Sequence, residues 1–524
     1  MTLRPNVYDE GIVLTAAMRV AAGQLPHRDF YAIYGPAEFY LFAGLFKIFG
    51  QSILVERLFD LLLRSLTVAT VYTIASQYLR KSITLATTIA AFLWLLGLLS
   101  ATAGAAVIAV TLLNLISTSL LVPIFTSTLS KRRMFLIGVL AAIAWLFRYD
   151  TGVALFGIDA VIVATAIWTR PNGKKLFAFA NAFWPCLAGF VAIVLPPLFY
   201  FLSVSSIHPF VHDIIIFPST YYHRARNLPF PGIRPKTLDN FAVYIPIFTI
   251  LISLFSSLTA IASRRSPHKP ASSDQDQRLN AFLFAFALVS LVMYGKGLVR
   301  VGTIQLYSAT IPSLFLIAVL FQQRFNFRRP FPIVISSLAF LSLFCPAWSA
   351  IRELKNVPRD HLAVSQELWS SIRGTISPTT KVWCSTPSPA TRGLCFLPTG
   401  DDIQATTFID AHTRPGDKLY VGLAKHDKVF ANDNVLYFTA ARLPATHWSH
   451  FDPDLQNRSD IQEQMIRDLE LAKPPYIVLD SEFDQLHEPN DSALSSGVKL
   501  LDDYIGNNYR HVQTFGSLSI WQRV

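Results

Sequence analysis

Apolar runs of about the length of a membrane span recur from about Ile53 to Trp348, divided by short polar turns. They fall at about residues 53–79, 82–100, 106–129, 134–148, 152–169, 176–203, 241–262, 279–294, 303–321 and 331–350, which predicts about ten membrane helices. Ahead of them, residues 11–22 read as a short amphipathic helix, and residues 37–49 form a second apolar stretch too short to span. The aromatic residues between these two suit a membrane interface, where ring and hydroxyl satisfy both phases. Beyond about residue 351 the pattern turns soluble. Lys418–Leu423, Tyr476–Asp480 and Leu518–Trp521 read as strands. Residues 460–472 read as a helix with an apolar stripe of Ile461, Met465, Ile466 and Leu469, and Ser459 with Gln462 resembles a capping box. The chain therefore divides into a membrane domain, 1–350, and a soluble α/β domain, 351–524. No internal repeat is visible.

Composition agrees. Of 524 residues 52% are hydrophobic and only 15% charged, against about 25% charged in soluble domains. The net charge of +11 does not point to a nucleic-acid partner, because the basic residues sit in short clusters between apolar runs. Every second loop is basic: Arg80 and Lys81; Lys131, Arg132 and Arg133; Arg170, Lys174 and Lys175; Arg264, Arg265, Lys269 and Arg278; Arg324, Arg328 and Arg329. The positive-inside rule makes these five loops cytoplasmic. Residues 1–52, the Arg148-Tyr149-Asp150 turn, the 204–240 loop, Lys296 with Arg300, and the whole tail then lie outside the inner (plasma) membrane. Residues 1–10 carry no apolar core of a signal peptide. An external N-terminus with no span before it has no evident means of export, so a further span upstream is expected. Four cysteines are too few for a disulfide framework: Cys186 and Cys345 sit in apolar runs, while Cys384 and Cys395 are placed to pair if the tail is in an oxidising compartment.

The chemistry-bearing residues cluster in the outer segments. Tyr8-Asp9-Glu10-Gly11 is an acidic pair beside the first hydrophobic block, where desolvating a carboxylate is costly; it reads as a catalytic pair or as an N-terminal helix cap. Arg57, Asp60 and Arg64 share one helical face, as an internal ion pair or as the lining of a polar cavity. Arg148-Tyr149-Asp150-Thr151-Gly152 is a charged hairpin turn, and Arg suits phosphate. Lys296 and Arg300 are basic on the side that the charge bias leaves poor in basic residues. The 204–240 loop holds His208, His212, Asp213, Tyr221, Tyr222, His223, Arg224 and Arg226; it reads as a basic, aromatic cover over a substrate, since no third ligand sits at a metal-site spacing. His447-Trp448-Ser449-His450 reads as ordinary loop. The tail carries neither a nucleotide loop nor a nucleophile elbow.

This layout resembles the GT-C superfamily of integral membrane glycosyltransferases, whose members include protein O-mannosyltransferases, the lipid A aminoarabinose transferase and rhizobial lipopolysaccharide galacturonosyltransferases. The resemblance rests on Tyr8-Asp9-Glu10-Gly11 in the first outer loop, Arg28-Asp29-Phe30, Tyr34-Gly35-Pro36, Arg148-Tyr149-Asp150-Thr151-Gly152, the basic segment near Lys296 and the soluble tail. It spans nearly the whole chain, departing from the family in the span that precedes Asp9 there. The resemblance implies a sugar carried on a polyprenyl phosphate and transferred with inversion to a lipid, glycan or protein acceptor. It implies Asp9, then Glu10, as the base; Arg28, Arg148, Arg224, Lys296 and Arg300 as phosphate ligands; and Asp29 or Asp150 as a carboxylate near the developing oxocarbenium. Membrane lipids are implied partners, no cofactor is fixed, and dependence on a divalent metal is left open. Two other classes compete: a transporter or lipid flippase, which would want mid-membrane polar groups and repeated halves, and a non-catalytic membrane scaffold. The charges visible in the sequence lie mainly at the outer ends of the helices, which favours the transferase.

Overall fold

The computed structural model describes residues 6–97, 105–170, 174–204, 207–230, 232, 238–263, 274–298, 300–301, 303–324 and 400–524. The tenth expected span at 331–350, together with Cys345, Cys384 and Cys395, lies outside these residues.

Two short helices come first, α1 (Asp9–Ala21) and α2 (Pro36–Phe49), followed by the bundle: α3 (Ile53–Tyr78), α4 (Lys81–Gly97), α5 (Ala105–Leu121), α6 (Lys131–Phe147), α7 (Tyr149–Trp168) and α8 (Lys175–Val204). A broken helical strap follows, with α9 (Ile207–Val211) and α10 (His223–Arg226) at its ends, and α11 (Leu238–Ser263), α12 (Asp274–Gly297) and α13 (Thr303–Arg324) complete the bundle. Nine of the ten expected spans are thus helical. Five helices are long and apolar enough to cross a membrane, namely Ile53–Tyr78, Ala106–Phe125, Tyr149–Trp168, Lys175–Val204 and Gln275–Gly297; shorter apolar helices cover Lys81–Leu95, Pro246–Ala262 and Thr310–Gln322. The turns after α3, α5 and α13 gather at one end. There Arg80 N–H donates to Gln322 Oε1, Gln322 Nε2 donates to the Tyr78 carbonyl, and the Arg170 guanidinium donates to the carbonyls of Ile124 and Ser127.

Residues 400–524 close over the opposite end. They contain α14 (Gly400–His412), β1 (Tyr420–Leu423), α15 (Val435–Thr439), α16 (Ser459–Ala472), β2 (Tyr476–Asp480), α17 (Leu500–Asn508), β3 (Tyr509–Phe515) and β4 (Leu518–Arg523). The strands form one mixed sheet in the order β1-β2-β4-β3. β1 runs parallel to β2 with Val421 opposite Val478, and β4 is antiparallel to β2 with Ile520 opposite Val478. The three expected strands and the 460–472 helix are all present. The capping box is not. Arg458 is the N-cap residue, with no side-chain cap bond, and Gln462 instead donates to the carbonyls of His426 and Gln456 and accepts from Leu501 N–H. A buried amide with several partners takes the better-satisfied arrangement.

Helix α1 departs most from expectation. An amphipathic interfacial helix would show one wet face, yet every residue from Glu10 to Arg19 is buried. Its apolar side chains share one continuous core with the bundle and the C-terminal region: Val13, Leu14 and Met18 belong with Phe42 and Phe46 of α2 and with Val435 and Phe438 of α15. Phe46 and Phe438 stack at 5.5 Å between centroids. Gly11 permits the contact, since a Cβ there would stand 2.7 Å from the backbone nitrogen of Val435. Arg19, also buried, donates to the carbonyls of Thr446 and Asp29 and to Gln24 Oε1; burial lowers its pKa to about 10. A second departure lies inside the bundle. Asp159 of α7 is fully buried and accepts from Ser117 Oγ of α5 at 3.2 Å, so one carboxylate sits far from the ends where the sequence placed the charges.

Replacing Gly11 by Ala should lower the thermal midpoint of the detergent-solubilised protein, by an overpacking cost of about 1–3 kcal/mol. Gly44→Ala in α2, where a Cβ meets nothing within 4 Å, should be neutral or raise the midpoint. Equal effects of the two substitutions would contradict the close packing of α1 on α15.

Candidate active site under the C-terminal cap

Asn6 starts the site. Its Oδ1 accepts the backbone N–H groups of Tyr8 (3.0 Å) and Asp9 (2.9 Å), so it caps the first turn of α1. The acidic pair is then divided by the helix. Glu10 turns to α3, where Arg57 forms a bidentate pair with it at 2.8 and 3.0 Å and Asn6 N–H adds a third bond at 2.9 Å. That pair is almost completely buried. Arg57 therefore reaches across elements and not along its own helix to Asp60, which pairs with Arg64 at 2.5 Å. Asp9 is less buried, and its side chain takes only a 3.3 Å bond from Asn6 Nδ2. Burial raises the Asp9 carboxyl above the ordinary carboxylate value; Arg226, Asn6 and Arg300 pull it back partway, and Asp452 adds to the rise.

Two cationic groups lie at this end of the bundle, the first beside Asp9 and the second linked to it through Tyr34. The first is Arg226 with Arg300. Arg226 donates to Tyr8 Oη (3.1 Å), the Phe430 carbonyl (3.0 Å) and Asp452 Oδ1 (3.4 Å). Arg300 pairs with Glu488 at 2.9 and 2.5 Å and donates to the Arg226 carbonyl. The second is Arg148 with Lys296. Lys296 Nζ is 2.7 Å from Asp150 Oδ2 and also donates to Thr151 Oγ1; Arg148 Nε is 3.7 Å from Asp150 Oδ1. Tyr34 stands between the groups, its ring 5.6 Å from the Arg148 guanidinium. Burial raises the Tyr34 hydroxyl, the charge of Asp9 raises it further, and Arg148 opposes. Gly35 fixes that position: its N–H donates to the Phe147 carbonyl, and a Cβ there would stand 2.1 Å from the Leu146 carbonyl oxygen.

Asp452 ties this assembly to the C-terminal region. It accepts from Tyr8 Oη (2.7 Å), Tyr31 Oη (3.3 Å) and Arg226, with His450 Nε2 at 3.6 Å. Burial favours the neutral acid, but His450, Arg226 and Tyr8 outweigh it and hold the carboxyl at about 2. Tyr31 packs against Trp448 and His450 with ring centroids 5.1 and 4.7 Å apart. The His447-Trp448-Ser449-His450 segment is thus part of the site wall and not ordinary loop. Its sequence held a signal, two histidines and a tryptophan two residues before Asp452, but nothing local shows that Tyr31 lies beneath them.

Of the residues expected at the site, Asp9, Arg148, Asp150, Lys296 and Arg300 share this end of the bundle, while Glu10 lies against α3. Arg28 pairs with its neighbour Asp29 at 2.7 Å; Asp29 also accepts from Leu25 N–H, so these two order the 25–30 turn. Arg224 is exposed on α10 near Asp454. His27 and Asp213, paired at 3.0 Å, join that turn to the strap. Tyr8, Tyr31, Tyr34, Asp452 and Glu488 complete the site; sequence reasoning read Tyr31 and Tyr34 only as interfacial aromatics and assigned no role to the other three. Among the described residues, no group of three His, Cys, Asp or Glu side chains is placed to hold a metal ion.

Among solved structures, the chain is similar to ArnT from Cupriavidus metallidurans. The apo form superposes with TM-score 0.55 and the form bound to undecaprenyl phosphate with 0.52; each is 13% identical and matches 98% of this chain and 93% of the ArnT chain. The archaeal oligosaccharyltransferase AglB from Archaeoglobus fulgidus, in complex with an inhibitory peptide and a dolichol-phosphate, aligns at TM-score 0.47 and 12% identity, over 100% of this chain and 71% of that one. No family model and no curated protein matches the sequence. The chain therefore shares the fold of ArnT, a mostly helical build with, among the described residues, five helices long and apolar enough to cross a membrane.

Asp452→Asn should destabilise the protein by about 3–5 kcal/mol at neutral pH, because it leaves Arg226 buried beside a neutral group. The depressed carboxyl stabilises the fold above its ordinary value of 3.8, and that contribution disappears as pH falls toward about 2. It amounts to about 2 kcal/mol. The gap between the thermal midpoints of wild type and variant should narrow from pH 6 down to pH 2; a constant gap would contradict the ionised network.

Proposed function

We propose that the protein is a membrane glycosyltransferase that moves a sugar from a polyprenyl-phosphate donor to a hydroxyl of a lipid, glycan or protein acceptor, with inversion. The observation that carries this reading is the placement of Asp9 beside Arg226 and Arg300, with Tyr34 linking it to Arg148, under the C-terminal cap of an ArnT-like fold. The ArnT structure bound to undecaprenyl phosphate supports the donor class. Among the described residues, the basic turns at Arg80–Lys81, at Lys131–Arg133 and at Arg170 with Lys174 and Lys175 lie at the other end of the bundle, so the positive-inside rule supports an extracytoplasmic site in an inner or plasma membrane.

In this mechanism the acceptor oxygen attacks the anomeric carbon from the face opposite the phosphate, and Asp9 accepts the hydroxyl proton as the carbon–oxygen bond forms. The glycosidic bond to phosphate breaks, and its electron pair stays on the phosphate oxygen. Phosphate is already a stable anion, so this departure needs positive charge and no general acid. Arg148 and Lys296 share a single counter-charge, Asp150, and their net charge of one matches a phosphodiester. Glu10, neutralised by Arg57, anchors α1 and so positions Asp9. Asp9, raised by burial, is a stronger base than a free carboxylate.

The test is transfer from radiolabelled polyprenyl-phosphate sugars in purified membranes. Asp9→Asn should lower turnover by about 10²–10⁴-fold while undecaprenyl phosphate still binds. Wild-type kcat/KM should rise with pH along a carboxylate limb lying above 3.8, the ordinary Asp value. Lys296→Ala should chiefly raise KM for the donor. Full transfer by Asp9→Asn would overturn the assignment of the base. Absence of transfer and of carrier binding in the wild type would favour a flippase or a scaffold, and the buried Asp159 would then become the group to study in a transporter.

A further inference from the structure

Arg300 is the one cation of the site whose guanidinium fork is filled edge-on by a carboxylate from the C-terminal region. Glu488 offers two oxygens at 2.9 and 2.5 Å, the fork–fork geometry that a phosphate also takes. The carboxylate comes from an irregular stretch, residues 481–499, that contains only a single 3₁₀ turn, Asp491–Ala493. Leu486, His487 and Pro489 are exposed while Glu488 turns inward. The stretch is fastened to the strap by one bond, from Asn490 Nδ2 to the Asn227 carbonyl at 2.9 Å, and Asn490 also steadies Glu488. Lys428 Nζ holds the Leu486 carbonyl at 3.1 Å. Asp9 feels the charge of Arg300, so whatever fills the Arg300 fork stands beside the proposed base.

Together Arg226 and Arg300 face Asp452, Glu488 and the proposed base Asp9, two cations among three carboxylates. Asp452 is fixed from four sides and cannot leave without exposing the Arg226 charge. Glu488 is held by Arg300 and one asparagine at the rim. A phosphate entering this group therefore gains a cation only by replacing Glu488. From this we infer that Glu488 is an internal stand-in for the donor phosphate: it occupies Arg300 in the empty protein, yields it to the phosphate of the bound polyprenyl donor, and so sets donor affinity. This inference rests on the glycosyltransferase reading and adds to it a competing anion from the chain itself.

The test is binding of undecaprenyl phosphate to the full-length protein in detergent, for wild type, Glu488→Gln, Arg300→Ala and the double variant. Glu488→Gln should bind roughly three- to tenfold more tightly, Arg300→Ala more weakly, and most of the gain from Glu488→Gln should vanish in the Arg300→Ala background. Hydrogen exchange across residues 484–492 should speed up when undecaprenyl phosphate is added to wild type, a response that a purely structural ion pair would not give. Unchanged or weaker binding by Glu488→Gln, or exchange that stays level or slows, would overturn the stand-in role while leaving the donor class intact. Absence of binding by all four proteins would overturn both readings.

Discussion

A helix buried on every side, with two carboxylates in its first turn, is the constraint on which the rest of this structure depends. Burying α1 is favourable only if its polar groups are answered, because an unpaired charge away from water costs several kcal/mol. Arg57 answers Glu10 from the bundle side. The hydroxyl of Tyr8, just ahead of the helix, is answered by Asp452 from the C-terminal side. Asp9 is the residue left over. It is half-buried, weakly bonded, and flanked by cations that also have other partners. The chemistry of the site thus follows from how the helix is seated: anchoring one carboxylate leaves its neighbour free to act.

The same seating joins the two halves of the molecule. Gly11 lets the α1 backbone touch α15, Phe46 meets Phe438, and Arg226 of the strap bonds at once to Tyr8, Phe430 and Asp452. The cap is therefore part of the site wall. Its contribution is mostly aromatic and acidic, Trp448, His450, Asp452 and Glu488, whereas the bundle contributes the cations. Opposite charges supplied from opposite sides, Arg226 with Asp452 and Arg300 with Glu488, pull the cap onto the bundle.

Much of this was legible in the letters. Span-length apolar runs gave the bundle helices because each must cover its backbone polar groups internally. Short runs of strand-forming residues marked β1, β2 and β4, and an apolar stripe at helical spacing marked α16. The alternation of basic loops separated the two ends of the bundle, and the charged residues left at the other end pointed to the site. Where the reading went astray, a partner distant in sequence had intervened. Gln462 forsook the expected cap for carbonyls at His426 and Gln456, and the interfacial helix 11–22 became a core helix because another layer lies on its outer face.

By itself, then, the sequence determined the membrane class, the helix positions, the family likeness and a short roster of charged residues, all of which depend on local composition and spacing. Tertiary structure alone decided which of those charges meet. The division of labour between Asp9 and Glu10, the pairing of Lys296 with Asp150 and of Arg300 with Glu488, and the entry of Tyr31, Trp448 and Asp452 into the site join residues between 47 and 444 positions apart. Hydrogen bonds and ion pairs act over a few ångströms in space, and no pattern along the chain records which distant residues folding brings that close.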